Sequence, residues 1–447
     1  MSEMIQETNQ EAEDKPLGYA WYMVTLCMIA YLFSFIDRQI VALLIEPIKA
    51  DLNISDTQFS LIHGLAFAIF YAVMGVPIAR LADTKSRPLI ISIGIAVWSL
   101  ATAVCGTARN FVQLFIARMA VGVGEAALSP AAYSMISDAF PKSKLGLALG
   151  VYSMGSFLGA GLAYIIGGVA IEMVAQLGVV ELPFVGELKP WQMTFFIVGL
   201  PGLLIAALFF FTVRDPERKG VQKGEDGYSI KEVLGYIGQN KGSFTAHYVG
   251  FGLLALVLYA LMSWAPAFFL RNFEMSTREV GLYLGTLVLF CNVGGVLFSG
   301  WLTDFFTKRG RTDAAMLSGI IGGLGALIPA ALFPFMPDLT TTLAVLGVAF
   351  FFASFPMATS AAALQVMAPN QMRAQVTALF FLFMNLFGIT GGATLVALGT
   401  DYLFQDEKAV GFSMALTACI AAVIAAAVMS KGLKPFRVTV DKVRGES

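Results

Sequence analysis

Apolar residues in this chain gather into twelve long runs separated by short polar segments. A helix needs about 20 mainly apolar residues to cross a bilayer. Runs of that length lie near 19–44, 58–80, 88–108, 111–136, 146–173, 191–212, 244–270, 279–303, 314–336, 340–366, 374–398 and 409–430. The pattern predicts an all-α polytopic membrane protein with twelve transmembrane helices. Met1 to Lys15 carries five acidic residues before its single Lys and no cleavage-site pattern, so it reads as a polar tail and not a signal peptide. The longest charged interval, 213–243, divides six helices from six. The expected organisation is a tail (1–18), a six-helix bundle (19–212), a linker (213–243), a second bundle (244–430) and a second tail (431–447). Within the linker, Ser229 to Ile237 suits a short amphipathic helix lying at the membrane surface.

Composition agrees with the pattern. The chain is 57% hydrophobic and only 13% charged, with a mean hydropathy of +0.75, whereas a soluble domain carries about 25% charged residues. A net charge of −1 gives no field to attract nucleic acid. Cys27, Cys105, Cys291 and Cys419 all fall in apolar runs without CxxC spacing, so no metal or cofactor is expected. The sequence has no G-x-S-x-G or HExxH, which argues against an enzyme, and no Walker loop, which argues against direct drive by ATP.

Loop charge sets the expected orientation. With the amino terminus cytoplasmic, twenty-one Lys and Arg fall on the inside and six on the outside (Lys49, Arg109, Lys189, Arg271, Arg278 and Lys408). Arg38 and Arg118 lie within helices. Both termini are therefore expected in the cytoplasm.

The two halves echo each other. Ala79-Arg-Leu-Ala-Asp83 closes the second run and Gly300-Trp-Leu-Thr-Asp304 the eighth, each followed by basic residues: Lys85 and Arg87, then Lys308, Arg309 and Arg311. Two parallel six-helix repeats are an architecture of many secondary transporters. The repeated unit resembles motif A of the major facilitator superfamily, with Ala79 standing where the first copy usually has Gly. That resemblance spans essentially the whole chain and implies the major facilitator fold. It also implies a gating role for Asp83, Arg87 and Asp304, each Asp facing the positive end of a helix in the other half.

Few ionisable groups lie deep in the runs: Asp37, Arg38, His63, Arg118 and Glu125. Each costs about 2.5–3.5 kcal/mol in hydrocarbon even on the lenient scale, so each is a functional candidate. Arg118 and Glu125 are seven residues apart, on one helix face and separated by about 10 Å. Counting rise per residue from opposite membrane faces places Asp37 and Arg118 within about one turn of the same height, so a contact between them is expected, with Glu125 nearer the midplane. A carboxylate beside an arginine stays ionised, and one moved away from it into apolar surroundings takes up a proton. The arginine is then available to an anionic head group such as phosphate. His63 could titrate near neutral pH, but a hydrogen-bonded interfacial histidine is the more ordinary reading.

Phe35-Ile-Asp37-Arg38, with Arg118-Met-Ala-Val-Gly-Val-Gly-Glu125-Ala-Ala-Leu-Ser129-Pro130, closely resembles the Spinster transporters, a family associated with lysolipids and sphingoid phosphates. The resemblance implies proton coupling at Asp37 and Glu125, and substrate binding by Arg118, Glu125, Ser129 and Arg38. Arg38 points about 100° from Asp37, and a salt-bridge role for it weighs equally with a substrate role. Helices seven to twelve hold no charge in their central spans; their polar lining is Asn292, Thr359, Gln365 and Asn385, amid dense Phe. Gly146, Gly150, Gly155, Gly159 and Gly161 in helix five permit tight helix contacts but lack the proline of the antiporter glycine motif.

The expected function is proton-coupled transport of lysolipid- or sphingolipid-like amphiphiles by alternating access in a bacterial inner membrane. The expected partners are protons, membrane lipids and that lipid-like amphiphilic substrate, with a monomer as the unit. The alternative is a multidrug exporter or an organic-anion/proton symporter.

Overall fold

The computed structural model describes residues 17–183, 186–218, 230–369 and 371–445. The acidic amino-terminal tail, Ser229 and most of the central linker lie outside these. Among the described residues, twelve helices are long and apolar enough to span a membrane. They are Gly18–Leu43, Asp56–Thr84, Arg87–Cys105, Phe111–Ala139, Ser143–Leu177, Pro190–Thr212, Lys241–Asn272, Thr277–Lys308, Ala314–Phe335, Leu339–Met367, Gln375–Phe404 and Glu407–Arg444, called helices one to twelve below. Between helices five and six, Val180–Leu182 pairs antiparallel with Gly186–Leu188 in a small hairpin.

Side-chain exposure follows the solvent that the composition implies. Large apolar residues such as Val73, Leu147, Leu204, Phe211, Phe290 and Leu297 stand exposed along the helices. In water a belt of this kind would drive association; in a bilayer it faces lipid.

Proline and π-helical turns break the regularity at related places in the two halves. Pro130 lacks an N–H and its ring crowds the carbonyl four residues earlier. Helix four accordingly tightens just before it, Ala127 N donating to Gly124 O at 3.2 Å. Helix ten breaks in the same way ahead of Pro356, Phe355 N donating to Phe352 O at 3.2 Å. Helix two carries a π-helical turn at Leu61–Leu65, and helix eight one at Val288–Asn292. Helix eleven has two, Asn385–Gly391 and Gly399–Phe404. Such turns place an extra residue on one helix face and often occur at functional sites.

Contacts group the chain into two compact units. One runs to Arg38 and includes 69–163 and 173–223; the other comprises 39–68, 164–172 and the chain from 224 onward. In the first unit, helices three and four cross at glycines. A Cβ on Gly124 would lie 2.5 Å from Trp98 N, and one on Gly94 2.8 Å from Gly124 O. Helix five packs on helix one in the same manner, since a Cβ on Gly155 would meet Met28 O at 2.4 Å and one on Gly159 Leu32 O at 2.7 Å. Gly146 and Gly150, read with them as contact residues, have nothing within 4 Å. Gly124→Ala should therefore force helices three and four apart, an overpacking cost of about 1–3 kcal/mol or more, seen as a lower melting temperature in detergent. Gly150→Ala should leave that temperature unchanged or raise it slightly.

In the second unit, helices seven and twelve form the centre. Phe251, Leu254, Met316, Met429, Phe436 and Val440 belong to one buried cluster. Helix twelve runs to Arg444, well past the expected end near 430. Gly432, Phe436, Thr439 and Val440 are buried along it, which supplies an apolar stripe at helical spacing to a segment that reads as a charged tail.

Candidate functional site

Helices one to four carry the buried charges of the first unit. Asp37, Arg118 and Glu125 are each 1–2% exposed. Helix one presents Ser34, Asp37 and Arg38. Ser34 and Arg38 are one turn apart and face the same way, and Arg38 Nη2 donates to Ser34 Oγ at 3.3 Å. Both then converge on Glu125 of helix four. Glu125 Oε2 accepts from Ser34 Oγ at 2.6 Å and from Arg38 Nε at 2.6 Å, with Arg38 Nη2 also at 2.6 Å. The guanidinium is framed by Phe35 and Tyr71, its Cζ lying 4.9 Å and 5.0 Å from the two ring centroids, a cation–π setting.

Arg118 meets Asp37 as the height argument requires, but at the backbone: its Nη1 donates to the Asp37 carbonyl at 3.4 Å. The Asp37 side chain accepts from Thr102 of helix three at 3.3 Å. The charges of Glu125, Arg118 and Arg38 all act on that carboxylate. Two carboxylates and two guanidiniums thus share one buried cluster in this unit. Among the described residues, Asp37 Oδ1 and Glu125 Oε1 are buried without a hydrogen-bond donor. Unpartnered buried oxygens are costly, and each is a place that a hydrogen-bond donor would satisfy.

Ser129 lies after the helix-four break and does not join the cluster. Its hydroxyl pairs with Tyr152 OH at 3.0 Å. His63 sits in the π-helical turn of helix two, buried, with Nε2 3.1 Å from Ser263 Oγ in the second unit, the ordinary role weighed for it. Asn292 and Thr359 are buried; Thr359 returns its hydroxyl to Phe355 O in its own helix.

The motif residues take different positions. Asp83 and Asp304 have exposed side chains, and neither makes an ion pair among the described residues. Arg87 is fully buried and clamps three segments of the first unit. It pairs with Asp138 at the end of helix four and with Asp215 after helix six, Nε to Oδ1 at 2.7 Å. It also donates to Ser134 Oγ at 2.8 Å and to Pro216 O at 2.6 Å. Arg218 closes the end of helix two by donating to the carbonyls of Ala82 and Lys85 at 2.9 and 2.7 Å, and to that of Asp83.

A second ionic group, unforeseen from sequence, lies in the second unit where helix seven ends and helix twelve begins. Asp56, fully buried at the start of helix two, accepts from Arg271 Nη1 and Nη2 at 2.7 and 2.8 Å and pairs with Lys49. Arg271 Nε also reaches Glu46 at 2.7 Å, and Lys49 reaches Glu407 at 2.8 Å. Thr57 N donates to Asp401 at 2.7 Å. These bonds tie residues that follow helix one to the ends of helices seven, eleven and twelve.

The second basic cluster, after helix eight, is anchored by Asp313, which accepts from Arg311 Nε at 2.9 Å and from Arg437 Nε at 2.7 Å. Burial alone would push the Asp313 carboxyl up, but the two guanidiniums hold it below its usual range.

Twelve spanning helices, repeated halves and buried intramembrane charges describe a class of transporter, and sequence comparison decides which. The profile of the Major Facilitator Superfamily matches residues 27–392. The chain belongs to that superfamily. An MFS-type efflux pump of Mycolicibacterium smegmatis is 28% identical over 421 residues, covering 90% of each chain. Protein spinster of Drosophila melanogaster is 25% identical over 322 residues, 70% of this chain and 50% of its own length. Among solved structures, a bacterial homolog of the human lysosomal transporter Spinster, crystallised inward-facing and unoccupied, superposes with a TM-score of 0.78. It is 24% identical, and the match covers 96% of this chain and 99% of that one. This major facilitator transporter is therefore Spinster-like in fold as well as in the helix-one and helix-four strings.

Proposed function

We propose that this transporter moves amphiphilic lysolipid- or sphingolipid-like substrates by proton-coupled alternating access. The observation that carries the reading is the buried cluster of Asp37, Arg38, Arg118 and Glu125. Burying ion pairs stabilises a fold poorly compared with apolar packing, so a cluster of four charged groups inside a spanning unit points to use in the transport cycle. In the resting arrangement Glu125 neutralises Arg38 through Oε2. A proton arriving at the unpartnered Oε1 removes that charge and weakens both bonds from Arg38. The guanidinium then becomes available to a phosphate oxygen of the substrate, to which it can bind bidentately. Arg118 offers the second cation, and Asp37 the second proton site.

The remaining assignments follow the same reading. Asp83, Arg87 and Asp304 act in gating at the end that carries the basic loops. Both termini lie in the cytoplasm, the chain sits in a bacterial inner membrane, and it works as a monomer. Ion pairs at Asp56 hold the start of helix two to the end of helix seven.

The substrate class is tested by uptake into proteoliposomes under an inward proton gradient. Labelled lysophosphatidylcholine is expected to accumulate, its tail-less glycerophosphocholine is not, and Arg118→Ala is expected to lose the first activity. Uptake of the tail-less anion glycerol 3-phosphate, with none of the lysolipid, would contradict the lipid reading in favour of organic-anion symport. The Mycolicibacterium efflux pump supports one further reading, export of other amphiphiles. Movement of a lipophilic drug cation without lysolipid would favour it.

A further inference from the structure

A cavity of about 660 Å³ opens in the second unit at the end where helix twelve closes. Its wall combines three cations and three side-chain amides from four separate elements. Arg373 lies just before helix eleven, Lys442 and Arg444 in the last turn of helix twelve, Gln365 at the end of helix ten, and Gln239 and Asn240 where the short helix Ile230–Gln239 closes and helix seven begins. No carboxylate lines it among the described residues. Three positive charges on one wall, with no carboxylate among the described lining residues, attract an anion, and guanidinium and amide donors match the oxygens of a phosphate.

The wall is fixed in place. Arg373 Nε donates to Ala368 O at 3.0 Å, and Tyr236 OH to Met367 O at 2.7 Å. Asn240 donates through Nδ2 to Tyr236 O at 3.1 Å and accepts through Oδ1 from Thr439 at 3.4 Å. The short helix is pinned by its inner face: Val233 is buried in the central cluster, with Tyr236 and Ile237 packed against it. Its other face exposes Ile230 and Leu234, one turn apart and each more than half exposed. Exposed apolar side chains beside a basic pocket, on an amphipathic helix at the end of a spanning bundle, suit a bilayer surface better than bulk water.

We propose that this cavity seats the phosphorylated head group of an anionic phospholipid from the surrounding leaflet, as a site separate from the transported substrate. The occupied site joins the linker helix to the ends of helices ten, eleven and twelve, all within this unit. It does not depend on the transport cargo or on proton coupling.

The test uses the full-length chain, purified and stripped of lipid in detergent, with binding read by native mass spectrometry and thermal melting. The probes are short-chain phosphatidylglycerol, phosphatidylcholine and inorganic phosphate. Phosphatidylglycerol is expected to bind more tightly than phosphatidylcholine and to raise the melting temperature. The combination Arg373→Gln, Lys442→Gln and Arg444→Gln is expected to weaken its binding by about tenfold or more, given charge-assisted bonds to three cations. Lys442→Gln and Arg444→Gln alone, on the exposed last turn, should give part of that loss with the fold intact. Arg118→Ala should keep the binding, which separates this site from the transport cluster. Equal binding of the two lipids, or unchanged phosphatidylglycerol binding in the triple variant, would overturn the proposal. Inorganic phosphate that reproduces the full effect would overturn the lipid as occupant and assign the cavity to free phosphate.

Discussion

Glu125→Gln is expected to abolish accumulation driven by a proton gradient while leaving exchange of substrate down its own gradient measurable. Glutamine preserves the size of the side chain and one oxygen for Ser34 and Arg38, which now contact Oε2 within 2.6 Å. It can neither hold a negative charge nor take a proton. Removing one partner of a buried ion pair costs about 3–5 kcal/mol, because the other charge is left uncompensated, so Glu125→Gln alone should also melt earlier. Replacing both members is far less costly than removing one. The pair Arg38→Gln with Glu125→Gln should therefore recover melting temperature without recovering accumulation. Recovery of both would mean that the pair only braces helices one and four.

The second large effect lies at the other ionic group. Asp56→Ala should destabilise the packing of helix two against helices seven and twelve by about 3–5 kcal/mol. It leaves Arg271 and Lys49, only 5% and 7% exposed in their side chains, without the fully buried carboxylate they share. The expected readouts are a lower melting temperature and faster labelling of a cysteine placed at position 60, buried in this arrangement. A double-mutant cycle with Arg271→Ala should show coupling of about 0.5–3 kcal/mol. Arg271→Lys should rescue little, since a single ammonium cannot reproduce the two-pronged contact with Asp56. Strict additivity of the two alanine variants would show that the bridge contributes nothing beyond its separate side chains.

The helix count was legible because lipid demands about 20 apolar residues per crossing, and the charged intervals between the runs are unambiguous. The end of helix twelve was not. Lys431, Lys434 and Arg437 give 431–444 the look of a solvated tail, while the buried stripe of Gly432, Phe436, Thr439 and Val440 within it is visible only when helical spacing is weighed against net charge. In the cluster, rise per residue brought Asp37 and Arg118 to one height, and they meet. It could not give the rotation of helix one against helix four, which decides that Arg38 faces Glu125 and that Arg118 reaches the Asp37 backbone. Ser34 was within reach of pattern reasoning, one turn before Arg38. Ser129, one turn after Glu125, follows the break ahead of Pro130 and pairs with Tyr152 OH, a partner that helix spacing alone does not reveal. The bonds of the group around Asp56 join residues as far apart in sequence as Lys49 and Glu407, 358 positions, all near helix ends, where charge reads as topology and nothing local marks a partner.

Protons and substrate that share this cluster must move together, and proton flux reads that coupling. Lysophosphatidylcholine is added to proteoliposomes holding a trapped pH dye, with no gradient imposed. Internal pH is expected to change on substrate addition for the wild type and to stay constant for Glu125→Gln. Lysolipid crossing at the full rate without a pH change, or an unchanged proton signal in Glu125→Gln, would contradict that coupling.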